Sequence, residues 1–328
     1  MPSRLGASIK TAGPLLLVIG SLTIAACGSA DSGKVPEQKT KIVATTGILA
    51  DITRQVAGAR ANVSQLVPNG ADSHDFQISA KGRAEIEDSD LLVFNGGGLE
   101  AGIPVESFSV RKFELVEHVG RLLEAGEDHH EDHHEGEHGH EDGSHEGDGG
   151  AGEHGSFDPH VWMDPDRIAA AVPALVKSLS VVDPSGSEGY RERGLRYQRK
   201  LRALVREMET EMESISSDQR KLVTSHDSMA YFAERFDFEI LPTPFPATGA
   251  EAEGSAGAIA EVEAAIEQSG VSAVFPEAES NPAVLEKIAE RTGVEIVTGL
   301  LVESLGPSDS YLEMMRSDSR LIDRGLGS

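Results

Sequence analysis

The 328-residue chain has a single cysteine, Cys27. No intrachain disulfide can form, so packing and hydrogen bonding must hold the fold even in an oxidising compartment. Basic residues are scarce: 29 Lys and Arg against 55 Asp and Glu give a formal net charge of −26. So acidic a surface repels nucleic acid and anionic lipid and attracts cations, which argues against a nucleic-acid partner. Beyond the N-terminal leader no apolar run approaches the ~20 residues that a membrane-spanning helix needs.

The leader has the three parts of an export signal. Arg4 and Lys10 supply positive charge, Leu15-Leu16-Leu17-Val18-Ile19 begins an apolar stretch that runs to Ile24, and Ala25-Ala26 are small. Residues 1–26 are expected to be a signal peptide. Leu22-Thr23-Ile24-Ala25-Ala26-Cys27-Gly28 resembles a bacterial lipobox, in which the cysteine becomes lipidated and is the first mature residue. That resemblance implies an extracytoplasmic protein, lipid-anchored through Cys27 to the cell membrane, at the cell surface or in a periplasm. Residues 27–40 are small, polar and proline-containing, as a flexible tether should be.

Eight of the twelve histidines fall between Glu127 and Gly155: His129, His130, His133, His134, His138, His140, His145 and His154. The same stretch holds eleven acidic residues and no basic one. Dense like charge, many glycines and no apolar face are the composition of a disordered segment. Neutral imidazole is a ligand for zinc, copper and nickel alike, so the expected role is weak collection of metal. His130-Glu131-Asp132-His133-His134 matches the zinc-protease pattern H-E-x-x-H only formally, because that pattern needs a helix with an apolar back.

The rest of the chain alternates strands with helices, which indicates parallel sheets with crossover connections. Strands are expected at 41–46, 62–67 and 90–95, with helices at 48–57 and 80–88. Tyr190, Gly194, Tyr197, Leu201, Leu204, Val205, Met208, Met212 and Ile215 recur at steps of three and four, the stripe of one long amphipathic helix. The alternation then resumes: strands at 221–225, 271–276 and 294–298, helices at 228–236, 257–268, 282–292 and 310–324. The expected fold class is α/β with two lobes, each a mostly parallel sheet flanked by helices, joined by a single brace helix. The boundaries are 41–183 for the first lobe, 184–218 for the linking helix and 219–328 for the second lobe.

Four histidines lie outside the histidine-rich stretch. His118, in Val116-Glu117-His118-Val119, has no motif around it and is read as structural. His74, His160 and His226 each follow an apolar strand where it should give way to a loop or to the next helix, the usual place for a ligand in open α/β sheets. Any one of them alone is more simply a hydrogen-bonded structural histidine; three with the same placement point to one shared site. Zinc accepts three imidazoles and a carboxylate in a four-coordinate site.

These segments resemble the metal-specific solute-binding lipoproteins of bacterial ABC importers, the group carrying zinc or manganese. The resemblance is carried in order by Ile42-Val43-Ala44-Thr45-Thr46, Gly70-Ala71-Asp72-Ser73-His74-Asp75-Phe76, residues 90–100, Asp158-Pro159-His160-Val161-Trp162-Met163-Asp164-Pro165 and residues 225–233. It implies a non-enzymatic receptor, expected as a monomer, whose His74, His160 and His226 ligate a metal between two lobes and whose partner is an importer permease in the membrane. The family's fourth ligand is usually an aspartate; here that position is Glu303, with Glu277, Glu279 or a water as alternatives, although Glu277 and Glu279 are more simply read as solvated loop acids. Manganese relatives carry a carboxylate in place of the third histidine, so His226 favours Zn2+ as cargo. A manganese-binding counterpart, a surface adhesin or zinc store, and a zinc hydrolase are the other functions considered. Trp162 and Asp164 are expected to hold the His160 loop.

Overall fold

The computed structural model describes residues 39–125, 157–245 and 255–327. The leader, Cys27, most of the tether and the histidine-rich stretch with its eight histidines lie outside the described residues.

The first half is built on β1 (Thr40–Ala44), α1 (Gly47–Ala57), β2 (Ala61–Gln65), α2 (Ala80–Glu87), β3 (Leu91–Phe94) and β4 (Lys112–Glu114). The four strands are parallel, in the order β2-β1-β3-β4, with Ile42 opposite both Val63 and Leu91. Strand side chains alternate between faces. Ile42, Ala44, Leu91 and Val93 therefore enter the main core, while Val43, Leu92 and Phe94 pack with Ile86 of α2 in a second, smaller cluster. α1 is started by Thr46, whose hydroxyl accepts from the amide of Leu49 at 3.2 Å.

Two antiparallel helices follow, α3 (Pro165–Val182) and α4 (Ser187–Met212). α4 is the long helix expected from its apolar spacing, and Tyr190, Gly194, Tyr197, Leu201, Leu204, Val205, Met208 and Met212 are all buried. Its 26 residues span about 39 Å at 1.5 Å per residue. Gly194 is required by the close approach of α3, since a Cβ there would meet Val176 at 2.6 Å. α3 was not expected from the sequence. It starts with Pro165 in the first turn, where proline suits a helix, but carries Pro173 in its interior. The carbonyl of Ala169, which Pro173 leaves without its helical donor, accepts from the Gln198 side chain of α4 at 2.7 Å.

The second half comprises β5 (Lys221–Leu222), α5 (Ala230–Phe236), β6 (Glu239–Ile240), α6 (Ala256–Ser269), β7 (Ala273–Val274), α7 (Ala283–Thr292), β8 (Glu295–Ile296) and α8 (Tyr311–Leu326). β5 pairs with β6 and β7 with β8, all parallel, and a bridge between Thr224 and Phe275 connects the two pairs. The resulting order, β6-β5-β7-β8, repeats that of the first sheet. Regular pairing is shorter than the apolar runs suggested; beyond Leu222 and Val274 only isolated bridges continue it.

The architecture is thus the expected one, parallel sheets flanked by helices with a single long helix between them. The main hydrophobic core is continuous from Ile42 through α4 to Leu326, and residues Lys39–Ser328 form one compact body. Buried polar contacts tie the halves as well: the Tyr311 amide donates to Asp51 at 2.9 Å, and the Tyr311 hydroxyl to the Trp162 carbonyl. Among the described residues no helix is long and apolar enough to cross a membrane.

Candidate metal centre

His74, His226 and Glu303 lie in connections that follow strands, and His160 follows the isolated bridge between Glu124 and Phe157. His74 sits in the connection from β2 to α2, its amide donating to the Asp72 carboxylate at 2.8 Å. His160 ends a tight Asp158-Pro159 turn ahead of the 3-10 turn Val161–Met163. Asn95, which ends β3's run, donates to the Pro159 carbonyl at 2.9 Å and fixes that turn. His226 follows β5, with its carbonyl held by the Thr224 hydroxyl at 2.8 Å. Glu303 follows β8; the preceding carbonyl, of Val302, accepts from the Trp162 indole at 2.8 Å.

The structure brings all four together. One donor atom from each of His74, His160, His226 and Glu303 lies within 4.8 Å of every other, the only such group among the described residues. His160 Nε2 is 3.3 Å from both His74 Nε2 and His226 Nε2, and 3.1 Å from Glu303 Oε1. Glu303 Oε1 lies 3.8 Å from His74 Nε2 and 3.9 Å from His226 Nε2. Donors about 2.0–2.1 Å from a tetrahedral Zn2+ are separated by about 3.3–3.4 Å. The three separations from His160 Nε2 are close to that value, and the two from Glu303 to His74 and His226 are about 0.5 Å longer, so a central cation would be reached by a small inward shift of the ligands. The extra methylene of glutamate is accommodated: Glu303 Oε1 reaches the cluster, and its buried Oε2 has no hydrogen-bond partner in the protein.

The far side of two imidazoles is fixed by carboxylates. His160 Nδ1 meets Asp158 Oδ1 at 2.6 Å, and the same oxygen accepts the His160 amide at 2.8 Å. His226 Nδ1 meets Glu277 Oε2, while Glu277 Oε1 accepts from Ser228 at 3.0 Å. A carboxylate on Nδ1 orients the ring and directs the Nε2 lone pair to the metal position. Both acids are nearly inaccessible, Asp158 at 4 % and Glu277 at 3 % exposure. Glu277 was expected to be a solvated loop acid; instead it is buried against His226. Glu279 is not solvated either. It binds the amide and hydroxyl of Ser304 at 3.0 and 2.7 Å and so holds the loop carrying Glu303. Neither belongs to the cluster of four. Replacing Asp158 by Asn or Glu277 by Gln should lower metal affinity by about 10–100-fold with little change in melting temperature. A competition titration that found wild-type affinity in both variants would show that the carboxylates do not position the rings.

The electrostatics differ from ring to ring. Burial disfavours the charged form of His160, but the Asp158 and Glu303 carboxylates outweigh it and raise its pKa to about 10. Burial likewise opposes charging His226, yet Glu277 raises its pKa overall. His74 has no such partner, and burial lowers its pKa despite attraction to Glu303. Burial would raise the pKa of Glu303, but the three imidazoles, His160 foremost, bring it down to about 2. The metal-free cluster is therefore an anionic carboxylate facing rings of which His160 carries a proton.

Trp162 and Asp164 hold the His160 loop as expected. Asp164 caps α3, its carboxylate accepting from the Asp166 amide at 2.9 Å, and it pairs with Arg235 at 2.8 Å. His118 is remote from the cluster and stacks on Phe113 at 5.2 Å. Tyr231, inside the 225–233 motif but not singled out there, also supports the His160 turn. Its hydroxyl donates to the Asp158 carbonyl at 2.9 Å and accepts from the Leu123 amide at 3.1 Å.

The chain is similar to known proteins over nearly its whole length. Residues 42–325 match the family model described as zinc-uptake complex component A, periplasmic. The manganese ABC transporter substrate-binding lipoprotein PsaA of Streptococcus mitis is 26 % identical over 316 residues, covering 95 % of this chain and 97 % of that one. The zinc-binding lipoprotein AdcA of Streptococcus pneumoniae is 27 % identical over 321 residues, covering 94 % of this chain but 59 % of that longer protein. Among solved structures, the periplasmic zinc binding protein TroA of Treponema pallidum superposes with a TM-score of 0.75 at 23 % identity, over 89 % of this chain and all of that one.

Proposed function

Because this chain belongs to the family of periplasmic component A of zinc-uptake complexes, metal-binding substrate receptors of ABC importers and not enzymes, we propose that its cargo is Zn2+, ligated by His74, His160, His226 and Glu303. The observation that carries this reading is the convergence of three imidazole Nε2 atoms and one carboxylate oxygen within 4.8 Å of one another, with His160 Nε2 3.1–3.3 Å from the other three. Imidazole suits zinc, whereas manganese favours carboxylate and carbonyl oxygen, and manganese stands lowest in the order of divalent affinities. A manganese cargo is the second reading, favoured by the name of PsaA.

Binding replaces the shell of water by four fixed donors, while Asp158 and Glu277 accept hydrogen bonds from the Nδ1–H groups of His160 and His226. Release to the permease requires the four donors to separate. The loop carrying Glu303 is held through Glu279, Asp318 and the Trp162 indole. Cys27 serves as the lipid attachment, and the protein acts as a monomer on the outer side of the membrane. The segment Glu127–Gly155 gathers zinc weakly beside the tight site.

Metal analysis of protein lacking residues 127–155, exposed anaerobically to Zn2+ and Mn2+ together, tests the assignment. One equivalent of zinc should remain, with a preference over manganese of at least ~100-fold from the donor set. Equal occupancy, or manganese excess, would establish the second reading. Loss of the single tight site on the deletion would show that the four donors do not suffice.

A further inference from the structure

The chain's net charge of −26 hides one strongly basic surface. Between residues 191 and 206, α4 carries seven Lys and Arg and one acid, Glu192. Arg191, Leu195, Arg199, Arg202 and Arg206 recur at steps of four, four, three and four, which places them in one line along the helix. All five are exposed. The charges are almost unspent. Arg191–Glu188, Arg196–Glu192 and Arg202–Asp166 are separated by 3.8, 3.8 and 3.9 Å across exposed side chains, pairs that contribute little in water. Arg199, Lys200 and Arg206 make no ion pair among the described residues. Of the acids further along α4, Glu207 and Glu211 pair with Arg316 and Arg320 of α8, while the exposed Glu209 ends the basic line.

Two further observations mark the same face. Among the described residues only three large apolar side chains are exposed, and two of them, Leu195 at 45 % and Val181 at 47 %, sit on α4 and on the adjoining α3. The described chain also begins here. Thr40 lies near the buried Tyr190 phenol at the N-terminal end of α4, so the segment from Cys27 reaches the fold close to the start of the basic line. The twelve intervening residues extend at most about 40 Å, comparable with the length of α4 itself.

We propose that the exposed face of α4, with Val181 of α3, lies on the anionic headgroups of the membrane to which the tether holds the protein. Lipid phosphate matches the guanidinium line, and Leu195 and Val181 are placed to enter the headgroup layer. The overall negative charge does not prevent this, because at physiological salt charges beyond about 8 Å are screened and only the facing surface counts. None of the four cluster residues is on α3 or α4, so a receptor resting on this face keeps its metal position off the membrane. The tether geometry rests on Cys27 being the attachment point; the headgroup contact itself does not.

Cosedimentation of the unacylated chain from Gly28 onward, which keeps the whole compact body, with lipid vesicles tests the contact. Vesicles of phosphatidylcholine containing phosphatidylglycerol at about one third should retain it, and pure phosphatidylcholine should not. Retention should vanish at high salt. Each basic residue near such a surface contributes on the order of fivefold, so Arg199→Glu, Arg202→Glu and Arg206→Glu together should reduce partitioning at least ~50-fold with zinc affinity unchanged. The milder pair Arg199→Gln and Arg206→Gln should give an intermediate loss, which serves if the triple reversal perturbs folding. Partitioning that ignores these substitutions, or that is equal on both vesicles, overturns the proposal. So does binding seen only on membranes containing the importer, which would assign the face to the permease. Mass analysis of the protein extracted from its host tests acylation of Cys27 separately.

Discussion

Alanine at position 160 should lower zinc affinity at least ~100-fold, the largest loss for any single imidazole in the cluster. His160 Nε2 is the hub of the site, 3.3 Å from two other imidazole nitrogens and 3.1 Å from the carboxylate. It is also fully buried, and it alone faces both Asp158 and Glu303. Its removal takes away a ligand, leaves the buried Asp158 carboxylate without its imidazole and weakens the counter-charge on Glu303, a loss that destabilises the metal-free protein too. Thermal melts must therefore accompany the titration. His160→Gln retains volume and a polar head, and should separate the ligand effect from the packing effect. His118→Ala, at the ring stacked on Phe113, should bind as the wild type does. Unaltered competition titrations for both His160 variants would exclude this side chain from the coordination sphere.

Zinc affinity should climb about tenfold for each pH unit through neutrality. The sign follows from the metal-free protein. His160, with its pKa near 10, holds a proton at pH 7 that the metal must displace. His226, raised by Glu277, adds to the same competition. His74, lowered by burial, joins only in the acid range. Glu303, near 2, stays anionic throughout and contributes no slope. Affinity is thus greatest at alkaline pH, and between pH 7 and pH 5 it should fall by at least ~100-fold. Calorimetry in two buffers of different ionisation enthalpy counts the protons directly. A release of none at pH 7 would contradict a protonated His160.

The parallel sheets and the long helix were legible because they rest on periodicity, which is local. Ile42-Val43-Ala44 and the apolar steps from Tyr190 to Met212 announce their elements without reference to the rest of the chain. His74 and His226 were legible for a related reason: each lies in a connection after a strand, and strand ends in such folds face a common crevice. His160 follows only an isolated bridge and was legible through its own motif. α3 was not, because Pro173 argues against a helix and its remedy, the Gln198 amide on Ala169, comes from a different element. Glu277 and Glu279 looked like solvated acids because nothing in Phe275-Pro276-Glu277-Ala278-Glu279 reveals that His226 and Ser304 will fold against them. Asp158 was closer to view, two positions from His160 in the same motif, yet its grip on Nδ1 depends on a turn that only the coordinates show. The basic line on α4 was concealed by averaging, since a total charge says nothing of how charge is distributed.

Glu124 bridges to Phe157, the Asp158 amide donates to the Leu123 carbonyl at 2.9 Å, and Tyr231 fastens both strands of that junction. The chain thus leaves and returns through a closed collar only a residue away from Asp158. Whatever is threaded between residues 124 and 157 changes only the closure entropy, about 0.6 kcal/mol for each doubling of length. Evolution is accordingly free to lengthen, shorten or reseed that insert with imidazoles at almost no thermodynamic penalty to the receptor beneath it.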